Sequence, residues 1–403
     1  MSQGEFIALM AMLFATIAFS IDSMLPALPR IAEELSPDLP NRAQLILSSF
    51  VIGMGVGTFF TGPLSDAFGR KPVLLAGSAL YIVGAVLAWA APSLEMILLA
   101  RVLQGLGASG PRIVAMAIVR DIYAGRSMAR IMSFVMLVFT LVPAVAPLIG
   151  SGIIALAGWR AVFVGFVIFA LISSVWLGLR QPESLAPEDR RPLRIRLMLA
   201  AVVEMFAHRA VRISILAQTL CYVILFLTIN MVQPIFDVVF MRADSFPRWF
   251  AGMALVSGSA SVLNAVLVMR LGMRRLASVA FGAQMVLAAG MSALWLAGLR
   301  GDGFFAAYVI WQTTVFFQLG MTIGNLNAIA MEPMGHIAGM AASVIGAVST
   351  IAGALIAVPV GLAFDGTPLP LTMGVCLASA GAYLLLLRLR KIEQAEGASL
   401  GVN

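Results

Sequence analysis

Charged side chains are scarce in this chain. Asp, Glu, Lys and Arg together make up 11% of 403 residues, where a soluble domain carries about 25%. That shortage excludes an ordinary water-soluble globule. Cysteine is nearly absent as well. Cys221 and Cys376 fall in different hydrophobic runs and read as buried apolar thiols, not as a disulfide framework. The two histidines, His208 and His336, have no metal-ligand spacing. No Gly-rich loop ends in Gly-Lys-Ser or Gly-Lys-Thr, so ATP is not the direct energy source. No acid–base pair or nucleophile constellation stands out. Neither an enzyme nor a bound cofactor is expected.

What the chain has instead is apolar length. Hydrophobic residues make up 61% of it. A helix crossing a bilayer needs about 20 consecutive apolar residues. Twelve such spans are expected, at 6–29, 43–63, 72–92, 95–119, 129–155, 160–180, 213–236, 248–270, 276–298, 304–328, 338–362 and 370–388. The fold class is therefore all-α and integral to a membrane. The first run has only Glu5 before it and no basic flank, so it reads as a retained span and not as a cleaved signal.

Basic residues set the expected orientation. With the N-terminus inside, cytoplasmic segments receive Arg70, Lys71, Arg120, Arg126, Arg130, Arg180, Arg190, Arg191, Arg194, Arg196, Arg209, Arg212, Arg270, Arg274, Arg275, Arg388, Arg390 and Lys391. The other side receives only Arg30, Arg42, Arg160, Arg242, Arg248 and Arg300. The positive-inside rule then puts both termini in the cytoplasm. The net charge of +7 points to contact with anionic lipid head groups of the bilayer and not to nucleic acid.

The longest connection, 181–212, is basic and holds Pro182, Pro187 and Pro192. It divides the chain into an N-terminal half, 1–180, and a C-terminal half, 213–403. Six spans on either side of one linker is the layout of a transporter built from two parallel halves. A faint repeat supports duplication: Gly69-Arg-Lys71 follows the second span and Gly272-Met-Arg-Arg275 follows the eighth. The second copy lacks a local acid, so the two loops are not expected to be equivalent.

Asp22 lies in the apolar stretch Thr16-Ile-Ala-Phe-Ser-Ile-Asp-Ser-Met-Leu-Pro-Ala-Leu-Pro29. A carboxylate at the bilayer centre costs roughly 2.5–3.5 kcal/mol on insertion scales, and one that survives there commonly titrates in a transport cycle. Arg101 interrupts the fourth span. At 1.5 Å per residue, both side chains lie roughly 10 Å deep, so an ion pair or water-bridged pair is feasible if the two helices flank one cavity, and the two are assigned to proton coupling. Arg112 is eleven residues beyond Arg101. Eleven helical steps come within about 20° of three full turns, which places the two on one face. Arg112 is thus a cavity candidate that would repel cations, or else it snorkels to the cytoplasmic surface.

In the loop Gly62-Pro-Leu-Ser-Asp-Ala-Phe-Gly-Arg-Lys-Pro-Val73, Gly62 and Gly69 permit a tight connection. Asp66, Arg70 and Lys71 can pair with one another and with Asp121 at the end of the fourth span. Asp66 can also face a helix N-terminus, such as that of the eleventh span near Gly339. Such contacts form a cytoplasmic gate. The fifth span concentrates Pro143, Pro147, Gly150 and Gly152, which favours kinking and close helix packing. The second half offers polar, uncharged groups: Tyr222, Asn230, Gln233, Asn264, Gln284, Gln312, Gln318, Asn325 and Asn327. Tyr222, Asn230, Gln233 and Gln312 are taken as cavity candidates; the others are expected to serve as interhelical glue.

The loop 62–73 resembles the signature loop of the major facilitator superfamily. Arg101-Val-Leu-Gln-Gly-Leu-Gly-Ala108 resembles the fourth-span motif of that superfamily. Pro143-Ala-Val-Ala-Pro-Leu-Ile-Gly-Ser-Gly152 resembles the fifth-span motif of its drug:proton antiporters, without the Gly that usually precedes the first Pro. Asp22-Ser-Met-Leu-Pro-Ala-Leu-Pro29 and Glu332-Pro-Met-Gly-His-Ile-Ala-Gly-Met-Ala-Ala-Ser343 are similar to the bicyclomycin/chloramphenicol-resistance (Bcr/CflA) branch. The resemblance covers nearly the whole chain. It implies a monomeric inner-membrane antiporter that exchanges protons for a small amphipathic compound. An exporter of an endogenous amino acid or sugar is the alternative.

Overall fold

The computed structural model describes residues 1–193 and 195–400; Arg194 and residues 401–403 lie outside that description. Twelve helices among the described residues are long and apolar enough to cross a membrane. In chain order, spans 1 to 6 are Gln3–Leu35, Pro40–Phe68, Arg70–Ala90, Leu94–Ile122, Gly125–Ala157 and Ala161–Arg180. Spans 7 to 12 are Arg209–Val239, Ala243–Leu271, Met273–Leu296, Gly301–Ile337, Gly339–Leu362 and Leu369–Ile392. All twelve expected spans are helical, and the described residues contain no strand. Most helices overrun the apolar stretches that announced them, because helical hydrogen bonding continues into the flanking polar turns. The connection 181–212 itself carries a helix, Ile195–Ala207.

The chain forms two compact units. One comprises Met1–Arg194 with Ala243–Gly252; the other comprises Ile195–Arg242 with Met253–Asn403. The linker is thus shared: its first part belongs to the first unit and its helix to the second. In the first unit, an apolar core joins Phe6, Leu9, Leu13 and Phe14 of span 1 to Leu74 of span 3, Val114 and Ile118 of span 4, Ile131 and Val135 of span 5, and Leu177 of span 6. Spans 1, 4 and 7 are the inward ones, with 72%, 67% and 72% of their apolar windows buried, against 33%, 33% and 22% for spans 3, 6 and 9. Spans 5 and 8 are little buried too, at 28% and 17%.

Span 1 is not one straight helix. An α-helix runs Gln3–Asp22, a 3-10 turn follows at Leu25–Ala27, and a short helix covers Leu28–Leu35. Pro26 and Pro29 cause the break, since neither has an N–H to continue the ladder. The N–H of Met24 turns to the carbonyl of Ile21. The Ser20 carbonyl is thereby left without its usual i+4 donor.

Span 4 is held against spans 2 and 3 at near-backbone distance. A Cβ on Gly105 would stand 1.9 Å from the Phe50 carbonyl oxygen, and one on Gly107 would stand 2.4 Å from the Tyr81 nitrogen. The Gly105-Leu-Gly107 sequence therefore seats span 4 between its neighbours. In span 5 the helix runs unbroken from Gly125 to Ala157 through Pro143 and Pro147. Its Gly150 meets the backbone of Ser23, with a Cβ there 2.2 Å from the Ser23 oxygen, whereas Gly152 has open space around it. The expected close packing therefore resides in Gly150, not in Gly152. Gly105→Ala is expected to destabilise the protein by about 1–3 kcal/mol through overpacking, while Gly152→Ala stays within about 0.5 kcal/mol. Thermal unfolding of the detergent-purified variants checks both values, and equal stability of the two would remove the seating role assigned to Gly105.

Candidate functional site

Among the described residues, Arg101 is the largest fully buried side chain. Its guanidinium makes three hydrogen bonds. It donates from NH2 to the Ser20 carbonyl at 3.0 Å, from Nε to the Ile46 carbonyl at 3.3 Å, and from NH1 to Oε1 of Gln104 at 2.8 Å. The Phe50 ring lies under it, 4.3 Å from its carbon to the ring centroid, in cation–π geometry. The broken helix of span 1 is what makes the first of these bonds available. Ser20 is fixed from a second side. Its hydroxyl donates to the Thr16 carbonyl at 2.5 Å, so the Tyr81 hydroxyl, 2.6 Å away, donates to it.

Asp22 sits two residues beyond Ser20, at the end of the first helix, and is 5% exposed. Of the two pairings considered, the direct Asp22–Arg101 ion pair is not formed: among the described residues, no hydrogen bond or ion pair reaches the Asp22 carboxylate. Two carbonyls and a glutamine take three of the arginine's five N–H donors. Next to the acid, the buried Ser23 hydroxyl also lacks a partner. Gln44, two residues before Ile46, is buried with neither amide atom bonded. Sequence reading passed over Ser20, Ser23, Gln44 and Gln104, because polar uncharged residues are common in spans and nothing in their spacing marks them. Arg112 is exposed while Arg101 is sealed, so the shared face does not give the two a shared environment.

The loop between spans 2 and 3 is a charged knot. Gly69, at φ 103°, ends one helix and caps the next. Arg70 is bonded to Asp66, donates from NH1 to the Ser65 hydroxyl at 2.8 Å, and donates from Nε to Asp121 at 2.9 Å. Asp121 also accepts from the Ser184 hydroxyl at 3.0 Å. Lys71 donates to the Gly178 carbonyl at 2.7 Å. The gate candidates Asp66, Gly69, Arg70, Lys71 and Asp121 are therefore brought together, with Gly62 one turn earlier, where its carbonyl accepts from Ser65. One member was missed. Glu183, from the connection after span 6, accepts from the backbone N–H groups of both Arg70 and Lys71, at 2.9 and 3.1 Å. A carboxylate at a helix N-terminus satisfies orphan donors and the helix dipole together. The matching loop of the other unit has recruited an acid too. Arg274 pairs with Glu332 at 2.7 Å, at the end of span 10, as Arg70 pairs with Asp121 at the end of span 4.

Two further clamps lie in the first unit. Glu5 takes both Arg180 at 2.7 and 2.9 Å and the Trp176 indole at 3.2 Å. Glu34 takes Trp159 at 2.7 Å and Arg160 at 2.6 Å. They fasten span 1 to span 6 at opposite ends. In the second unit, Asn325 donates to Asn264 at 2.7 Å and Thr314 to Gln284 at 3.2 Å, both serving as interhelical glue. Tyr222 is half-buried and stacks on Phe226 at 5.7 Å, while Asn230, Gln233 and Gln312 are buried.

Residues 8–357 match the sequence profile of the Major Facilitator Superfamily. The chain belongs to that superfamily. It is 29% identical over 396 residues to a bicyclomycin resistance protein homolog of Haemophilus influenzae, covering 94% of this chain and 96% of that protein. It is 36% identical over 162 residues to a chloramphenicol resistance protein of Pseudomonas aeruginosa, covering 40% and 38% of the two chains. Its fold matches the crystal structure of a D-xylose–proton symporter with a TM-score of 0.74 at 13% identity, over 95% of this chain and 97% of that one. The resemblance to the Bcr/CflA branch is thus supported over nearly the whole length, and the chain is a multi-pass membrane protein of a transporter superfamily.

Glu183→Ala leaves two first-turn amides of span 3 without their acceptor and is expected to cost about 1–2 kcal/mol. Glu332→Ala, which breaks a half-exposed pair, is expected to cost at most about 1 kcal/mol. Thermal unfolding in detergent ranks the two, and an equal loss would deny Glu183 its capping role.

Proposed function

We propose that this protein is a proton-coupled efflux antiporter that exports small amphipathic, drug-like compounds by alternating access. It would lie in the bacterial inner membrane with both termini cytoplasmic, as the basic-residue bias indicates. The observation that carries the reading is the state of Asp22: a carboxylate buried in the membrane interior, at a helix break, with no bonded partner. A carboxylate so placed is costly unless a proton or a ligand neutralises it. Arg101 does not bond to it directly; the arginine is anchored to the same helix two residues away, through the Ser20 carbonyl. The acid is thereby left open to competing occupants.

In the proposed cycle, the outward-facing protein takes a proton on Asp22 and releases substrate. The inward-facing protein loses the proton and binds substrate again. Competition for one site couples the two flows, and such coupling is reciprocal. Gly150 supports the coupling by placing span 5 against the backbone of Ser23, so a change at the helix break is felt directly by the span that carries the antiporter-like motif. Asp66, Arg70, Lys71 and Asp121 act as the cytoplasmic latch of the cycle. Arg112, Tyr222, Asn230, Gln233 and Gln312 are the residues assigned to the substrate path. The relatives named for bicyclomycin and chloramphenicol resistance favour a drug-like cargo over an amino acid or sugar.

Everted vesicles holding a pH gradient provide the test, with a panel of phenicols, bicyclic peptides, dye cations and amino acids. Wild-type protein is expected to collapse the gradient with at least one compound, and Asp22→Asn with none, although binding is retained. Proton-driven export by Asp22→Asn would overturn the mechanism.

A further inference from the structure

Two arginine–tryptophan pairs of the first unit each share a glutamate: Arg180 and Trp176 share Glu5, and Arg160 and Trp159 share Glu34. A further pair, Arg300 and Trp295, stands between spans 9 and 10. Its guanidinium carbon lies 3.4 Å from the indole centroid, closer than the 4.2 Å of Arg160 over Trp159. Here, among the described residues, no carboxylate meets either member. Arg300 donates from NH1 to the carbonyls of Trp295 at 2.6 Å and Leu299 at 2.8 Å. Of its five N–H groups, those on Nε and NH2 meet no protein acceptor among the described residues.

Arg300 and Trp295 line a cavity of about 200 Å³. Arg242, from the turn after span 7, lines it too. That guanidinium lies 4.3 Å from the Phe305 centroid and pairs with Asp302 at 2.7 Å. Both arginines are thus held flat on aromatic rings, which fixes their direction without using up their charge. Asp302 is the one acid on the wall, so two arginines against one aspartate give it a net charge of +1. Sites for whole drug-sized ligands measure about 300–1,000 Å³; this space suits a smaller anionic group. Its surroundings are apolar. Val238, Met241 and Leu296 stand 52%, 71% and 83% exposed in the order Val238, Leu296, Met241. Met241 does so from a left-handed backbone, φ 53°, which residues other than glycine seldom adopt.

We propose that Arg242 and Arg300 bind the phosphodiester of a phospholipid head group in this cavity, with the acyl chains lying over the apolar rim. A phosphodiester is a monoanion at neutral pH and matches the charge of the wall. Its two non-ester oxygens accept from the Nε and NH2 edge of Arg300, the planar fork that suits phosphate. The exposed Val238, Met241 and Leu296 favour an amphiphile over a free anion, because inorganic phosphate would leave them without a partner. The basic-residue bias puts this end of the second unit on the side opposite the cytoplasm. The site is therefore separate from the general attraction of the arginine-rich cytoplasmic segments for anionic lipid, and it depends on no particular cargo.

Native mass spectrometry of the detergent-purified protein tests the site without transport. The probes are a phosphatidylglycerol, the diacylglycerol with the same acyl chains, and inorganic phosphate. For the first lipid bound, wild type is expected to prefer the phosphatidylglycerol about tenfold, as charge-assisted hydrogen bonds imply. Inorganic phosphate at equal concentration is expected not to displace it. Arg300→Gln is expected to lower the phosphatidylglycerol affinity about tenfold. Arg42→Gln removes an equal charge outside the cavity, from a side chain paired with Glu95, and is expected to leave that affinity unchanged. No preference in wild type, or one that survives in Arg300→Gln, overturns the site. An equal loss in Arg42→Gln overturns it too, since net charge alone would then explain the binding. Displacement by inorganic phosphate would make it a site for a free anion and overturn the lipid assignment. Thermal unfolding without lipid is the second readout. Arg300 is exposed, so Arg300→Gln is expected to unfold with wild type, and a large fall would make Arg300 a structural residue and overturn its role.

Discussion

A guanidinium buried in a membrane protein needs acceptors, and Arg101 finds three for its five N–H groups, two of them backbone carbonyls. Two of its three acceptors are carbonyls, and helical carbonyls are normally occupied by their own helix. The break in span 1 solves this. Pro26 and Pro29 end the ladder, Met24 turns to Ile21, and Ser20 offers its oxygen across to span 4. The glycines of span 4 complete the arrangement by letting its backbone reach spans 2 and 3. Without that approach the arginine would stand too far from Ile46 and Ser20. The kinked first helix, the glycine-rich fourth and the lone acid at the kink are therefore one construction and not three separate motifs.

The same construction explains why Asp22 stands apart. A buried ion pair between the two would be hard to open, because separating the partners strands both charges. Arg101 is held by the Ser20 and Ile46 carbonyls and by Gln104, and it makes no bond to the acid.

Much of the fold was legible in the residues. The twelve spans follow from hydropathy alone, because a bilayer tolerates little else. Asp22 and Arg101 stood out because charges in such runs are expensive. The direct ion pair between them is absent, and the backbone acceptors that hold Arg101 leave no mark in side-chain identity; only the two prolines hinted that carbonyls would be free. Glu183, Glu5 and Glu34 were invisible for another reason. Each meets partners more than a hundred residues away, and no local spacing announces such a meeting. The second loop illustrates an intermediate case. Gly272-Met-Arg-Arg275 was visible as a repeat, but its acid had moved to Glu332 on another helix, so the loop looked incomplete when read alone. Arg112 shows the limit of periodicity: helical arithmetic gives direction around an axis, but not what stands in that direction.

The two Glu–Arg–Trp clamps bear on how such a chain could arise. They bind the first and sixth spans of one unit at opposite ends, so the beginning and the end of that unit are neighbours in space. A module whose ends meet carries its closure within itself. A gene encoding it can be copied in tandem, joined by any linker of adequate length, and neither copy is left with an unpartnered terminal helix. The later divergence of the copies, one keeping its loop acid close by and the other borrowing one from span 10, then proceeds without unsettling the closure of either half.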